Sequence, residues 1–154
     1  MTTVTAAEFN RRPSRPQVTA YLLDTNVIGE LRKPSCNRGV AEWTSGQSVH
    51  DLAISIVTII EIETGILRVE RRDRDRAAVL RWWFERAVLT GFAGRILPVD
   101  LVAARQVAVL HVPDRASQHD ALIAGTALAQ GMTVVTRNVA DFQRSGVPTI
   151  CPWV

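Results

Sequence analysis

The stretch Val18-Thr-Ala-Tyr-Leu-Leu-Asp-Thr-Asn-Val-Ile28 decides how this chain begins to fold. Its apolar run from Val18 to Leu23 predicts a buried strand, which ends directly on the carboxylate of Asp24. Asn26 is the expected cap of a helix that begins at Val27. A buried strand that delivers an acid to its carboxyl end and passes straight into a helix indicates an α/β unit.

Strand-like and helix-like segments alternate along the rest of the chain. Apolar and β-branched segments predict strands at 52–55, 96–97, 133–136 and 149–150. Helical patterns and caps predict helices at 38–44, 58–68, 70–89, 100–111, 120–130 and 139–144. This alternation predicts an α/β fold with three layers, in which a mostly parallel central sheet of about four to five strands is flanked by helices.

Length and composition indicate one globular domain. The chain has 154 residues, of which 47% are hydrophobic. Residues 18–154 are expected to form the domain, and residues 1–17, which are rich in proline and arginine, a flexible extension. No apolar run reaches the roughly 18 to 20 residues of a membrane span, and two cysteines show no metal or disulfide spacing. We therefore expect a reduced, cytoplasmic protein that does not enter the membrane.

Four acidic residues occupy positions at the ends of predicted buried elements, where a carboxylate is costly to place. Asp24 follows the first strand, and Asp141 lies five residues after Thr136, where another strand is expected to end. Glu61 and Asp120 are expected in the first turns of helices. Ligands of parallel sheets bind beyond the carboxyl ends of the strands, so the four acids can meet at one edge. Carboxylate oxygens suit hard Mg²⁺ or Mn²⁺, and the pattern predicts a metal site there.

Each acid also has a purely structural explanation. Asp24 can cap the following helix, and Glu61 can form a capping box with Thr58. Asp120 can favour the positive end of a helix dipole, and Asp141 can form a local turn. A shared metal site explains all four with one cause, whereas the structural explanations need four separate ones.

The charge of the chain fits an anionic site within a basic protein. The formal net charge is +3, and apart from the four candidate acids there are 11 acidic residues against 18 basic ones. A basic surface around an acidic pocket suits a polyanion such as nucleic acid. The run Arg71-Arg-Asp-Arg-Asp-Arg76 is expected to be a solvated helix face whose charges pair with one another.

The motifs around the acids resemble one family in particular. Leu22-Leu-Asp-Thr-Asn-Val-Ile-Gly-Glu-Leu-Arg-Lys-Pro34 is similar to the opening of PIN-domain ribonucleases, in particular VapC-type toxins of the FitB-like group. Ser55-Ile-Val-Thr-Ile-Ile-Glu-Ile-Glu-Thr-Gly-Ile66 and Asp120-Ala-Leu-Ile-Ala-Gly-Thr-Ala127 resemble their second and third motifs. Thr136-Arg-Asn-Val-Ala-Asp-Phe142 and the closing Pro152-Trp153 resemble the fourth motif and the tail. Departures occur at Gly125, His119 and Cys151, none of which is one of the acids.

The resemblance implies a Mg²⁺-dependent endoribonuclease, with Mn²⁺ as a substitute, that is the toxin of a type II toxin–antitoxin pair. Asp24 and Asp120 would be the main metal ligands, and Glu61 and Asp141 would complete the acidic site. All four acids would be catalytic through the metal, which activates water against an RNA phosphodiester.

Further residues and partners follow from the same resemblance. Ser55, Thr136 and Asn138 would orient the carboxylates and water from a second shell, with ordinary strand-end hydrogen bonding as the alternative. A small VapB-like antitoxin would cover the site from an apolar groove, with Trp43, Ile59, Ile62, Ile66 and Leu67 as candidate lining residues. The toxin would be a homodimer. Candidates for phosphate contacts are Arg32, Lys33, Arg68, Arg71 and Arg137.

Two other classes of protein remain open. One is a catalytically silent PIN scaffold used for protein binding, against which the four intact acids argue. The other is an aspartate phosphoacceptor domain, which also gathers aspartates around Mg²⁺ at strand ends. Against that class, the first strand delivers a single acid and no lysine follows a late strand.

Overall fold

The sheet is fully parallel. The computed structural model describes residues 20–154, so the expected extension at 1–17 and the strand start at Val18 lie outside the described residues. Five strands pair in the order β3-β2-β1-β4-β5. They are β1 (Tyr21–Leu23), β2 (Leu52–Ser55), β3 (Ile96–Leu97), β4 (Thr133–Val135) and β5 (Thr149–Ile150). The predicted α/β architecture is confirmed, with five strands.

Seven α-helices connect or flank these strands within residues 20–154. They are α1 (Thr25–Leu31), α2 (Arg38–Ser45), α3 (Ile56–Glu70), α4 (Arg74–Trp83), α5 (Leu101–Leu110), α6 (Gln118–Gln130) and α7 (Val139–Gln143). A 3-10 turn at Val49–Asp51 leads into β2, and a π-helical segment at Phe84–Leu89 continues α4.

Two helix starts differ from the sequence prediction. Asp24, not Asn26, caps α1: its backbone is extended and its carboxylate accepts a hydrogen bond from the Thr25 amide. Ser55 caps α3 through the Val57 amide, so the predicted capping box of Thr58 and Glu61 is wrong. In both cases the polar side chain at the end of the strand takes the cap and the helix starts earlier. Glu61 consequently lies in the second turn of α3.

The predicted helix at 70–89 is present, but it starts later than expected, at Arg74, and its last part, Phe84–Leu89, is π-helical. The chain turns after Glu70, and the carboxylate of Asp73 accepts a hydrogen bond from the Arg76 amide at 3.0 Å, which starts α4. An aspartate that can cap competes with helix continuation, because it satisfies amides that a helix end leaves free.

The sheet has an apolar core on each face, as a three-layer fold requires. Leu22 and Val134 pack with Ile123 of α6 in one cluster, whereas Leu23 and Val135 belong to a second cluster. Successive strand residues point to opposite faces, so β1, β2, β3 and β4 each contribute to both clusters. The second cluster includes residues of α1, α3 and the π-helical segment.

Close packing of α5 on α6 fixes the position of α6, which carries Asp120 in its first turn. A Cβ atom on Gly125 would lie 2.4 Å from Cγ2 of Val107 and 3.1 Å from the carbonyl oxygen of Ala103. Glycine at this departure from the family pattern therefore lets the two helices approach. Gly131 ends α6 in the left-handed conformation, which glycine adopts without strain.

Neither a membrane helix nor a disulfide is found in the described part of the chain. No helix within residues 20–154 has both the length and the apolar character needed to cross a bilayer. Cys36 and Cys151 are free thiols, and the Cys36 thiol donates to the carbonyl oxygen of Asn37 at 3.5 Å.

Candidate functional site

The candidate site lies where the strand order reverses. From β1 the chain continues to β2 and β3 on one side of the sheet and then returns to β4 and β5 on the other. Asp24 directly follows β1, and Thr136 directly follows the adjacent β4. Ligands of open α/β sheets bind at the carboxyl ends of strands beside such a reversal.

Asp24 is buried and its carboxylate is held by neutral donors. The residue is 7% exposed. Its Oδ1 accepts a hydrogen bond from the Thr25 amide at 2.8 Å. Its Oδ2 accepts from the Thr136 hydroxyl at 2.8 Å and from the Asn26 side-chain amide at 3.1 Å. Within residues 20–154, no basic side chain forms an ion pair with it.

Burial raises the pKa of Asp24 above its ordinary value, because the charged form loses its hydration. Hydrogen bonds from Thr136 and the Thr25 amide lower the pKa in part. The nearby charges of Glu61 and Asp120 raise it further. The site therefore has excess negative charge that a bound cation would neutralise.

Glu61 reaches the site from α3 and is held by α1. The Thr25 hydroxyl lies 3.1 Å from Glu61 Oε1 and 3.1 Å from the Thr58 hydroxyl. On its other side, Glu61 Oε2 lies 3.9 Å from Nδ1 of His119, next to Asp120 on α6. Thr25 is next to Asp24 and His119 is next to Asp120, so these two residues link Glu61 to both aspartates.

Asp120 is near both the buried acid, Asp24, and the exposed acid, Asp141. It lies in the first turn of α6, as predicted, and its charge acts on Asp24. It also lines a small pocket together with Asp141 of α7 and Arg144. Asp141 itself is exposed to solvent.

The acids form an open arrangement. No three His, Cys, Asp or Glu side chains of residues 20–154 lie close enough to hold a metal ion between them. The donor set still fits a hard divalent cation, since every candidate ligand is a carboxylate and the most buried one has no cationic partner among residues 20–154.

The three predicted orienting residues have different positions. Thr136 is fully buried and contacts Asp24 directly. Ser55 accepts a hydrogen bond from the Val57 amide and so positions α3, without touching an acid. Asn138 donates its backbone N–H to the Thr136 hydroxyl at 3.0 Å, whereas its side chain is exposed.

Asn26 was missed as a site residue. Its side-chain nitrogen donates to Asp24 and lies 3.3 Å from the Thr136 hydroxyl, and its oxygen accepts from the Arg137 amide at 3.2 Å. It therefore joins the ends of β1 and β4. The available signal was the Asp-Thr-Asn order, because polar residues just after a capping acid can return to that acid.

Comparison with known proteins agrees with this architecture. Residues 21–146 match the PIN domain. The chain is 36% identical over 137 residues to VapC ribonuclease Y4jK of Sinorhizobium fredii, covering 86% of this chain and 96% of the relative. It is 34% identical over 138 residues to Toxin FitB of Neisseria gonorrhoeae, covering 86% and 97%.

A solved structure shows the same fold at high similarity. The crystal structure of FitAcB from Neisseria gonorrhoeae matches with a TM-score of 0.79 and 32% identity, covering 86% of this chain and 98% of that one. Other solved structures with this fold are toxin–antitoxin complexes. The chain therefore belongs to the PIN-domain family, among the VapC-type toxins of the FitB-like group.

Proposed function

We propose that the chain is a Mg²⁺-dependent endoribonuclease that acts in the cytoplasm as the toxin of a type II toxin–antitoxin system. The observation that carries the proposal is the buried carboxylate of Asp24, which has only neutral donors and two further carboxylates within electrostatic reach. Such a group is costly to bury without a cation. Its place at the strand-order reversal is where a ligand is expected.

Asp24 and Asp120 would hold Mg²⁺, or Mn²⁺ in its place, and Glu61 and Asp141 would complete the site. When bound, the ion would supply activated water and charge stabilisation for phosphodiester hydrolysis. An all-oxygen donor set favours these ions over softer ones.

The neutral donors fix the carboxylates before a cation arrives. Thr136 and Asn26 hold one oxygen of Asp24 and the Thr25 amide holds the other, so the carboxylate cannot rotate freely. The Thr25 hydroxyl restrains Glu61 in the same way. Such outer contacts orient metal ligands and keep them basic.

RNA as the substrate is supported by the charge of the chain and by a relative named a ribonuclease. Arg137 follows Thr136 directly and is exposed, with its guanidinium carbon 5.9 Å from the ring centroid of Trp153. Stacking on that ring holds a cation beside the acids, where it can contact a phosphate group.

A small VapB-like antitoxin is the proposed partner. An apolar groove of about 290 Å³ begins at Thr25 and runs between α1, α3 and α4. Among the residues predicted to line it, Ile62 and Ile66 do so. Trp43 and Ile59 instead pack against the second core cluster, and Leu67 is exposed outside the groove. A segment seated in this groove would end beside the acids and cover them.

The toxin is also proposed to be a homodimer. Ile60 and Leu67 of α3 are about half exposed, at 51% and 49%. Leu101, Val102 and Val109 of α5 are more exposed still. Exposed apolar side chains of this size on two helices provide area that a second copy can bury.

The phosphoacceptor alternative is disfavoured by topology. Receiver domains have the strand order 2-1-3-4-5. The order here is 3-2-1-4-5. Both oxygens of Asp24 also accept hydrogen bonds within a buried site, which leaves the group poorly placed as a nucleophile.

Cleavage of RNA by the purified protein tests the proposal. Wild-type protein is expected to cut total RNA with Mg²⁺ or Mn²⁺ and to stop when EDTA is added. Expression in a host without an antitoxin should arrest growth, whereas Asp24→Asn should be tolerated. A folded wild-type protein that cuts no RNA with either ion, and is tolerated as well as the variant, would indicate a silent scaffold.

A further inference from the structure

An open pocket lined by arginines lies at the junction of α3 and α4. It encloses about 720 Å³. Its lining consists of four arginines together with Val69 and Asp73, the arginines being Arg68, Arg71, Arg72 and Arg76. The run Arg71–Arg76 is exposed to solvent, as predicted. The predicted pairing of its charges with one another is wrong, because within residues 20–154 no ion pair involves this run or Arg68.

The nearby acids make other interactions. The carboxylate of Asp73 accepts from the Arg76 backbone amide and caps α4. The charge of Glu70 acts on Arg81, which forms an ion pair with Glu63 at 2.8 Å. The positive charge of the pocket is therefore not compensated by a direct ion pair.

We infer that this arginine pocket is a phosphate-binding subsite for single-stranded RNA, separate from the acidic site. The inference rests on the proposed ribonuclease function. Guanidinium groups bind phosphate oxygens in a two-pronged geometry, and several in one concavity concentrate positive potential. The lining carries four positive charges against the single carboxylate of Asp73, which caps α4, so its charge favours a polyanion.

The pocket is continuous with the groove that starts at the acids. Val69 and Arg76 line both, and the groove ends at Thr25, whose hydroxyl contacts Glu61. Arg32 stands over the ring of Trp83 on the groove wall, with 5.6 Å between its guanidinium carbon and the ring centroid. A basic groove with apolar and aromatic walls can hold the phosphates and base faces of a single strand.

Because the groove connects the acids with the arginine pocket, the proposed antitoxin would inhibit RNA cleavage in a second way. A partner segment in the groove would cover the acids and would also separate them from the arginine pocket. RNA bound at the cleavage site could then no longer extend to the distal phosphates.

The salt dependence of RNA binding tests the subsite. A fluorescein-labelled single-stranded RNA of about 16 nucleotides, the upper range of single-strand site sizes, is titrated with protein and followed by anisotropy. All proteins carry Asp120→Asn so that the RNA is not cut. Arg71→Gln/Arg72→Gln is compared with Arg86→Gln/Arg105→Gln, which removes the same charge from exposed positions outside pocket and groove.

Loss of two phosphate contacts should lower the slope of log K against log salt by about 1.4 and weaken binding about 20-fold near 0.1 M salt. The control pair should keep the parent slope. Equal effects of the two pairs, or none from the pocket pair, overturn the subsite. The subsite is also overturned if a charge-matched polyglutamate peptide displaces the labelled RNA better than unlabelled RNA does. If the parent binds no RNA at all, the proposed ribonuclease function fails as well.

Discussion

Asp24 and Asp141 are candidate ligands of the same site, yet their surroundings are opposite. Asp24 is 7% exposed and accepts three hydrogen bonds. Asp141 is exposed, and its side chain makes no hydrogen bond within residues 20–154. The fold alone fixes the first carboxylate, whereas the second is free to follow a bound ion or substrate.

The difference follows from the elements that carry the two acids. Asp24 lies between β1 and α1, beside β4, so two hydrogen-bonded strands determine its position. Asp141 lies on α7, a helix of five residues at the surface. A rigid ligand next to an adaptable one lets a site form before the ion binds and adjust afterwards.

The largest effect should come from replacing Asp24 and Asp141 by asparagine, one at a time. Asp24→Asn is expected to lower RNA cleavage by more than about 100-fold, the upper range for loss of an outer-shell partner. Asp141→Asn should cost about tenfold, because water can replace a mobile, exposed ligand. Initial cleavage rates at saturating Mg²⁺ measure both. Asp114→Asn, an exposed loop acid outside the site, is the control. Equal losses at Asp24 and Asp141 would contradict the distinction.

The sequence was sufficient to predict the features that follow from hydrophobic periodicity and from the residues at strand ends. The short apolar runs predicted the strands because a strand buried on both faces has few polar residues. The acid at the end of β1 followed from the same pattern, since parallel strands direct their carboxyl ends to one edge. The turn position of Asp120 was also correct.

Sequence was insufficient where two polar residues competed for one role. Both Asp24 and Asn26 can cap α1, and only the position of β4 decides that Asn26 turns toward Thr136. The pairing of Arg71 and its neighbours was likewise undetermined, because Asp73 can either pair with arginine or cap a helix. Tertiary geometry settles such choices, and the motif resemblance does not include it.

Removing the hydroxyl that holds Asp24 should have an intermediate effect. Thr136→Val deletes the hydrogen bond to Asp24 Oδ2 and leaves the Asn138 amide without its acceptor. Cleavage should fall about 10- to 100-fold, and the free energy of unfolding should fall by about 1–3 kcal/mol. The matched control is Thr126→Val, since Thr126 is also buried but donates to the Leu122 carbonyl within α6.

Cleavage rates and urea unfolding of the two threonine variants separate a site effect from a stability effect. Thr126→Val should change stability without changing the cleavage rate of the folded protein. The role of Thr136 would be disproved if both variants lost activity in proportion to their loss of stability.

The smallest effect should be a pH dependence of thermal stability without metal. The pKa of Asp24 is raised in the folded protein, so this group does not affect stability below the unfolded-state value near 3.8. Stability is lost as pH rises from that value to the folded-state pKa, and the loss is complete above it. Asp24→Asn has no such loss. In EDTA, the melting temperature of the variant minus that of wild type should therefore increase from acidic to neutral pH, by about 2–4 °C for each kcal/mol involved. Differential scanning calorimetry across that range measures it. A difference that decreases toward neutral pH would mean that the neutral donors around Asp24 stabilise its charged form by more than burial destabilises it.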